Sequence, residues 1–263
     1  RLTQEVLIPP KAKGGAQHGQ IVTAGITDYP TGRLGAKGRV IEVLGDHLDP
    51  GMEIDIAIRA HGIPFEWPEA VVDEAGHLRE EVDEADKRAR IDLRDLPFVT
   101  IDGEDAKDFD DAVYCRKKRL GGWKLWVAIA DVSHYVHPGS ALDTEAARRG
   151  NSVYFPERVV PMLPEVLSNG LCSLKPEVDR LAMVVEMDLN RDGELGKFQF
   201  FEAVIHSHAR LTYTQVGRVL AGEEEPAVPK ARIAELKRLH DLYKVLRLAR
   251  EERGAIDFET VET

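Results

Sequence analysis

The sequence predicts an α+β chain in which a small β module is followed by a larger part of mixed α/β structure. Residues 1 to about 70 contain short apolar segments separated by Gly and Pro, without a helical pattern. From Ile91 onward, strand patterns occur together with one long amphipathic segment. The length of 263 residues, of which 43% are apolar and 31% charged, allows one or two domains with buried cores and excludes a disordered or fibrous chain.

The first part contains three predicted strands, at residues 20–23, 38–44 and 54–58. The last of these alternates Ile with other residues at the period of two that is typical of a half-buried strand. Gly and Pro recur at short intervals between the segments and supply turns. The pattern favours a small all-β barrel, and it fits any other small β module equally well.

The second part combines strands with a long helix. A strand is predicted at residues 124–130, and the segments 181–189 and 198–205 flank a turn that ends in Gly193, which predicts a hairpin. Residues 231–253 carry apolar side chains at steps of three and four, and Gly254 follows where a helix ends.

Two short segments account for the acidic balance of the chain. Its net charge is −11; residues 73–86 contribute −6 and residues 102–111 contribute −5, so the rest of the chain sums to zero. Residues 73–86 hold seven carboxylates against Arg79 and no strong apolar period, which predicts a solvated linker or an exposed helix. Because the charge is confined to these segments, it does not exclude a nucleic-acid partner.

The segment from Asp102 to Asp111 contains the residues most suited to chemistry. Six of its ten residues are acidic and only Lys107 opposes them; the acids are Asp102, Glu104, Asp105, Asp108, Asp110 and Asp111. Such crowding costs repulsion unless a cation lies among the carboxylates, and apolar residues precede and follow the segment. Hard oxygen ligands in this setting suit Mg²⁺, or Mn²⁺ in its place.

Other kinds of site fit this segment less well. An EF-hand loop needs Gly at its sixth position, which Lys107 occupies in a count from Asp102. A glycosidase needs only two carboxylates, usually far apart in sequence. A zinc site would need Cys or His in number, so we interpret four histidines as structural or surface residues: His134, His137, His206 and His208. In-line phosphoryl chemistry uses two divalent ions held by such a cluster, which makes a metal-dependent phosphodiesterase the leading hypothesis.

The frame Ile-Asp-x-x-Asp-Ala-x-Asp-x-Asp-Asp, which begins at Ile101, resembles the catalytic motif of the ribonuclease II/R (RNB) exoribonucleases. Further stretches match that family in the same order along the chain, at residues 126–133, 149–154, 161–174 and 209–213. The resemblance is strongest with the bacterial ribonuclease R branch and covers nearly the whole sequence.

The resemblance implies a domain organisation and an activity. Residues 1–72 resemble a cold-shock-like OB-fold domain, residues 73–90 an acidic linker, and residues 91–263 the N-terminal part of a truncated mixed α/β RNB catalytic domain. Such enzymes are processive 3′–5′ exoribonucleases that hydrolyse RNA, including structured RNA in this branch, to 5′-nucleoside monophosphates with two Mg²⁺ ions. We therefore expect an RNA substrate with a free 3′ end.

The family motif also implies roles for individual aspartates. Asp102, Asp108 and Asp111 match metal-binding positions of the family. Asp110 matches the residue that the family needs for turnover rather than for holding RNA, so we expect it to complete a second metal site or place the attacking water. All four are candidate catalytic residues and candidate metal ligands, whereas Asp105 is expected only to support the geometry of the loop.

Two aromatic residues are predicted to bind RNA. Tyr154 matches an aromatic that packs on the 3′-terminal nucleotide, and Phe258 is expected to supply the other side of that stack. Stacking suits an enzyme that tolerates any sequence, because every base has a π-face.

The resemblance also bears on what the 263 residues can do alone. The family places a catalytic Arg and a Glu further along the domain, followed by an S1 domain and a basic tail. The sequence begins at Arg1 and stops at Thr263, so we expect a fragment that by itself is a poor nuclease or none. The alternative hypothesis is a non-catalytic RNA-binding module without metal affinity.

The expected surroundings follow from simple features. Cys115 and Cys172 cannot build a disulfide framework, which favours a reducing, cytoplasmic setting. No apolar run approaches the roughly 20 residues that a membrane helix needs, so we expect no membrane partner. The protein is expected to be a monomer.

Overall fold

The structure is a computed structural model that describes residues 5–31, 35–47, 49–156 and 158–255. It divides into two compact units: unit 1 comprises Arg1–Pro68 and Arg149–Val160, and unit 2 comprises Glu69–Arg148 and Pro161–Thr263. In chain order the elements are β1 (Val6–Leu7), β2 (Gln20–Asp28), β3 (Ala36–Asp46), α1 (Met52–Ala60), α2 (Glu69–Gly76), α3 (Glu84–Arg88), β4 (Ile91–Asp92), β5 (Val99–Asp102), β6 (Asp111–Lys117), β7 (Trp123–Ala130), α4 (Ala141–Arg149), β8 (Val153–Tyr154), β9 (Val159–Val160), β10 (Asp179–Leu189), β11 (Leu195–His206), β12 (Ala209–Thr212), α5 (Tyr213–Ala221) and α6 (Lys230–Glu252).

Unit 1 is built on a three-stranded sheet in the order β1-β3-β2. Strand β1 runs parallel to β3, and β2 pairs antiparallel with β3 through several register shifts, which are typical of a strongly bent sheet. Strands β8 and β9 form a separate antiparallel ribbon of the same unit. The strands predicted at residues 20–23 and 38–44 are confirmed as parts of β2 and β3.

The strand predicted at residues 54–58 is wrong, because this segment forms helix α1. Gly51 precedes the helix with a φ of 81°, a left-handed conformation that favours glycine. Ile54 and Ile58 are four residues apart and so share a helix face, and Ile58 is fully buried. Arg59 forms a salt bridge to Asp55 across one turn, with 3.3 Å between Nη1 and Oδ1. The alternating isoleucines were therefore compatible with both periods.

Unit 2 contains a seven-stranded mixed sheet in the order β12-β5-β6-β7-β10-β11-β4. The five central strands, β5, β6, β7, β10 and β11, pair antiparallel with one another, whereas β12 and β4 add to the two edges in parallel. The predicted strand at 124–130 is confirmed as β7, and the predicted hairpin is confirmed as β10 and β11, with Gly193 at a φ of 81°. The α+β class predicted from the sequence is confirmed.

The core of unit 2 lies between the sheet and helices α5 and α6. One buried cluster joins β5 and β12 to both helices and consists of Val99, Ala209, Leu211, Val219, Val228 and Leu236. A second cluster joins β6, β7 and β10 to α6 through Cys115, Trp123, Leu189 and Leu242. Helix α6 confirms the predicted long helix, and it ends before Gly254, whose φ is 82° and whose N–H donates to the Glu251 carbonyl.

The segment predicted as an acidic linker contains part of α2 and all of α3. The Leu142 N–H donates to the Glu74 carboxylate at 3.0 Å, and Val82 is buried. Unit 2 begins at Glu69, at neither predicted boundary, and the domain boundaries predicted at residues 72 and 90 stay predictions. Across the residues that the structure describes, no helix is long and apolar enough to cross a membrane.

Candidate metal and active site

The acidic residues predicted from the sequence lie on one loop and the two strand ends that it joins. Strand β5 ends at Asp102 and β6 begins at Asp111, so residues 103–110 connect two neighbouring strands of the large sheet. Asp102 lies opposite Thr212 of β12, and Asp111 lies opposite Ile129 of β7. The strand pairing therefore fixes both ends of the loop.

The first half of the loop is held by Arg210 of β12. Its Nη2 donates to the carbonyl oxygens of Gly103 at 3.1 Å and Glu104 at 2.6 Å. The guanidinium also lies over the Phe109 ring, with 5.4 Å between Cζ and the ring centroid. One side chain thus contacts the beginning and the end of the acidic loop.

The second half of the loop is held by the segment that contains Ser173 and Leu174. The Phe109 N–H donates to Ser173 Oγ at 3.1 Å, and that hydroxyl donates to the Lys107 carbonyl at 3.0 Å. The Leu174 N–H donates to the Phe109 carbonyl at 2.8 Å. The Asp110 carbonyl accepts a hydrogen bond from the N–H of Ala130, the last residue of β7, at 2.9 Å.

Asp102 has a buried carboxylate oxygen. It is half-buried, and its Oδ2 is buried without a hydrogen-bond partner among the described residues. Burial and the charges of Asp111 and Asp110 raise the pKa of Asp102, while the Arg210 guanidinium opposes that rise. A buried, unpartnered carboxylate oxygen is costly unless a cation or donor reaches it.

The pKa of Asp110 is also raised, although the residue is exposed. Partial desolvation, together with the charges of Asp108 and Asp111, raises the pKa of Asp110. The charges of Asp108 and Asp111 therefore act on the carboxyl groups of both Asp102 and Asp110. The four aspartates thus lie on one loop and its flanking strand ends, and their roles as catalytic residues and metal ligands stay predictions.

The fit of these residues to a divalent cation depends on donor chemistry rather than on a preformed cage. Among the described residues, no three His, Cys, Asp or Glu side chains are arranged so that they could hold one ion. The carboxylates nevertheless supply the hard oxygen ligands that Mg²⁺ prefers. A cation would relieve both the mutual repulsion of the four aspartates and the unpaired state of Asp102 Oδ2.

The two predicted RNA-binding aromatics are not brought together in the described structure. Tyr154 ends strand β8 in unit 1, and its side chain is 63% exposed. Phe258 lies outside the described residues. The stacking pair therefore stays a prediction.

Sequence reasoning gave no role to Ser173 or Arg210, although both lie in stretches that resemble the family. Each contacts the acidic loop from more than 60 residues away in sequence. For Arg210, the sequence shows only a single cationic residue within an apolar strand. That feature does not indicate which residues the guanidinium contacts. The interpretation of His206 and His208 as structural agrees with their contacts to Asp179 and to the Arg94 carbonyl.

Comparison with protein families assigns both parts of the sequence. The model of the RNB domain matches residues 90–263, and the model of the cold shock domain matches residues 1–68. The first of these matches covers well over half of the chain and includes the whole acidic loop. This chain belongs to the RNB family, as the resemblance in the sequence predicted.

Individual relatives agree with this assignment. Ribonuclease R of Vibrio parahaemolyticus is 59% identical over the whole chain, which spans 32% of that relative's length. The structure of Mycoplasma genitalium RNase R in complex with double-stranded RNA has a TM-score of 0.90 and 34% identity, covering 97% of this chain and 45% of that one. Yeast Ssd1, described as a pseudonuclease, shares the fold at a TM-score of 0.66 and 18% identity, covering 91% of this chain and 30% of its own. The chain thus spans about a third of the length of the ribonuclease R that it matches.

Proposed function

We propose that this chain forms the metal-binding part of a processive 3′–5′ exoribonuclease that hydrolyses RNA to 5′-nucleoside monophosphates with two Mg²⁺ ions. The observation that carries the proposal is the acidic loop of an RNB domain, in which four aspartates repel one another and Asp102 Oδ2 is buried without a partner. An RNA substrate, including structured RNA, is supported by the similarity to an RNase R that was solved with double-stranded RNA.

Some residues of this chain would bind the metal ions, and others would position the attacking water and the RNA. Asp102, Asp108 and Asp111 would hold the ions, and Asp110 would complete a second ligand set or place the attacking water. The Mg²⁺ ions, when bound, supply an activated water and stabilise the charge on the leaving oxygen. Tyr154 presents an exposed ring that can stack on the 3′-terminal base, which is worth about 1–3 kcal/mol.

The setting of the activity is also part of the proposal. We propose a cytoplasmic monomer whose substrate is RNA with a free 3′ end, with Phe258 opposite Tyr154 on the terminal nucleotide. We further propose that residues 1–263 alone turn RNA over slowly or not at all, since the chain spans 32% of the ribonuclease R that it matches. Activity is therefore tested in the full-length protein.

A non-catalytic RNA-binding module is the second candidate function. The fold of this chain also occurs in a protein described as a pseudonuclease, so the fold alone does not imply turnover. The four aspartates favour the enzyme, because such a cluster costs repulsion and gains nothing in a module that binds no metal. Mg²⁺ titration separates the two functions, since the module would show no affinity.

The experiment replaces Asp110 with Asn in the full-length protein. We expect D110N to bind a labelled single-stranded RNA as tightly as the wild type and to release monophosphates at least about 100-fold more slowly, because a group needed only for turnover is missing. The matched control is Asp192→Asn, an exposed acid in the turn between β10 and β11. Unchanged turnover in D110N, or equal loss in D192N, would contradict the proposed site.

A further inference from the structure

Ser173 is a buried side chain whose hydroxyl lies against the acidic loop. The residue is fully buried, and it follows a short wide helical turn at Val166–Leu171. Its Oγ accepts from the Phe109 N–H and donates to the Lys107 carbonyl. The two loop groups that it bonds belong to the residues on either side of Asp108.

This contact replaces the strand pairing that the loop lacks. Residues 103–110 lie outside the strands, and hydrogen bonds to its backbone hold the loop at its beginning, through Arg210, and at its end, at the Phe109 and Asp110 carbonyls. A hydroxyl has one donor hydrogen, and here that donor and an acceptor lone pair are both used on the loop. With the carbonyl before Asp108 and the N–H after it both fixed, the backbone of Asp108 has little freedom left and its side chain leaves the loop in one direction.

Because the loop is strongly acidic, holding its backbone in place opposes the repulsion between its carboxylates. Four carboxylates of like charge lie on this one loop and its ends, at Asp102, Asp108, Asp110 and Asp111, so electrostatic repulsion favours their spreading apart. A loop held only at its strand ends could relax in that way. The Ser173 hydroxyl opposes the relaxation at the centre of the loop and, being buried, does so without competition from water.

We propose that Ser173 is a positioning residue of the metal site, which holds Asp108 and its neighbours in place for a divalent cation before the cation binds. The inference rests on the proposed function, since it assumes that the aspartates bind Mg²⁺. Groups that orient ligands without touching the metal commonly change metal affinity by about 10- to 100-fold when they are removed. Preorganisation of this kind acts on binding of the ion more than on the chemistry that follows.

The test compares Ser173→Ala with Ser207→Ala in the full-length protein. Ser207 is a matched control because it is also buried in unit 2, at 1% exposure, and its hydroxyl donates to the Ala209 carbonyl rather than to the acidic loop. Isothermal titration with Mg²⁺ alone measures the affinity. We expect S173A to weaken Mg²⁺ binding at least about tenfold and S207A to leave it unchanged.

Turnover provides a readout that a general loss of stability would not produce. We expect the Mg²⁺ concentration for half-maximal rate to rise at least about tenfold in S173A, while kcat at saturating Mg²⁺ stays within about threefold of the wild type. A fall in kcat that Mg²⁺ does not restore, or Mg²⁺ affinity within twofold of the wild type, would overturn the inference. A wild type that binds no Mg²⁺ would instead overturn the proposed function, and the inference with it.

Hydrogen exchange on the wild type keeps the inference testable even if S173A does not fold. Without metal or RNA, the Phe109 amide should exchange far more slowly than the Asp105 amide, because Phe109 donates to a buried hydroxyl and Asp105 lies in the exposed part of the loop. In a folded S173A that protection should be lost. Equal, rapid exchange of the two amides in the wild type would show that Ser173 does not hold the loop.

Discussion

Asp131 illustrates how a single buried carboxylate supports the site without belonging to it. It follows Ala130, whose N–H holds the Asp110 carbonyl, and its own Oδ2 lies 2.6 Å from Nη2 of Arg90. Both side chains are only 5% exposed, and Ser133 Oγ donates to the second carboxylate oxygen at 2.7 Å. Burial alone would raise the pKa of Asp131, but the hydrogen bonds from Ser133 and Arg90 outweigh it and lower the pKa.

Replacing Asp131 with Asn should therefore be strongly destabilising at neutral pH. The variant leaves the buried Arg90 charge with only the exposed Glu202, whose Oε2 lies 3.8 Å from Nη2, and losing the buried partner of such a pair typically costs about 3–5 kcal/mol. Because the folded-state pKa of Asp131 lies below its unfolded value, the pair stabilises the fold above the unfolded pKa and loses that effect as the pH falls through the folded pKa.

Urea unfolding of the wild type and D131N at pH 7 and at about pH 3.5 measures this dependence. The difference in free energy of unfolding should be largest at pH 7 and shrink at the lower pH. The exposed Asp95→Asn serves as the control and should stay within about 0.5 kcal/mol of the wild type. A loss in D131N that grows as the pH falls would contradict the sign of the shift.

At the same residue scale, the sequence could suggest the proposed ligands of the site but not the residues that contact their loop. The aspartates are close in sequence, so their spacing alone predicts a cation site. Ser173 and Arg210 contact backbone groups of the loop. Every residue has such groups, so the sequence does not indicate which side chain will bind them. Only the pairing of β12 with β5 brings Arg210 to the loop.

At the scale of elements, predictions succeeded where the local pattern allowed a single period. Helix α6 and the β10–β11 hairpin carry long periodic segments that end in glycines at positive φ, and both were predicted closely. Helix α1 was predicted as a strand because five residues are too few to separate the two periods. Ile58 is fully buried in the folded chain, and a pattern of five residues carries no information about that tertiary packing.

The junction between β12 and α5 couples the sheet to the helix beside the site. Thr212 ends β12 opposite Asp102 and is also the N-cap of α5. Its hydroxyl accepts from the Gln215 N–H at 3.2 Å, and the Gln215 side chain accepts from the Thr212 N–H at 3.0 Å. This reciprocal capping box satisfies two N–H groups at a point where the chain turns from strand to helix.

Replacing Thr212 with Val should remove the cap while keeping the branched shape of the side chain. We expect the free energy of unfolding to fall by about 0.5–2 kcal/mol, because the half-buried Gln215 N–H loses its acceptor. Thr212→Ser retains the hydroxyl and should lose less. The control is Thr214→Ala, an exposed position two residues further along the chain. If Thr212→Val were as stable as this control, the role of the cap would be contradicted.

At the scale of the whole molecule, the division into two units confines the proposed metal site to one of them. The acidic loop belongs to unit 2, and so do Ser173 and Arg210, which contact it. Tyr154 belongs to unit 1, together with the rest of its strand β8. A ligand that binds only the acidic loop should therefore stabilise unit 2 and leave unit 1 unaffected.

Scanning calorimetry of the full chain with and without Mg²⁺ tests this expectation. Binding to the folded state alone adds about 2.7 kcal/mol at a hundred times Kd, which corresponds to a rise in Tm of about 5–10 °C for the transition of unit 2. The rise should vanish in Asp102→Asn, whose buried Oδ2 becomes an uncharged amide group, and persist in the exposed Asp192→Asn. NaCl at equal ionic strength controls for screening. If NaCl produces the same rise, or if D102N keeps it, the aspartates of the loop do not bind the ion and their repulsion must be relieved in another way.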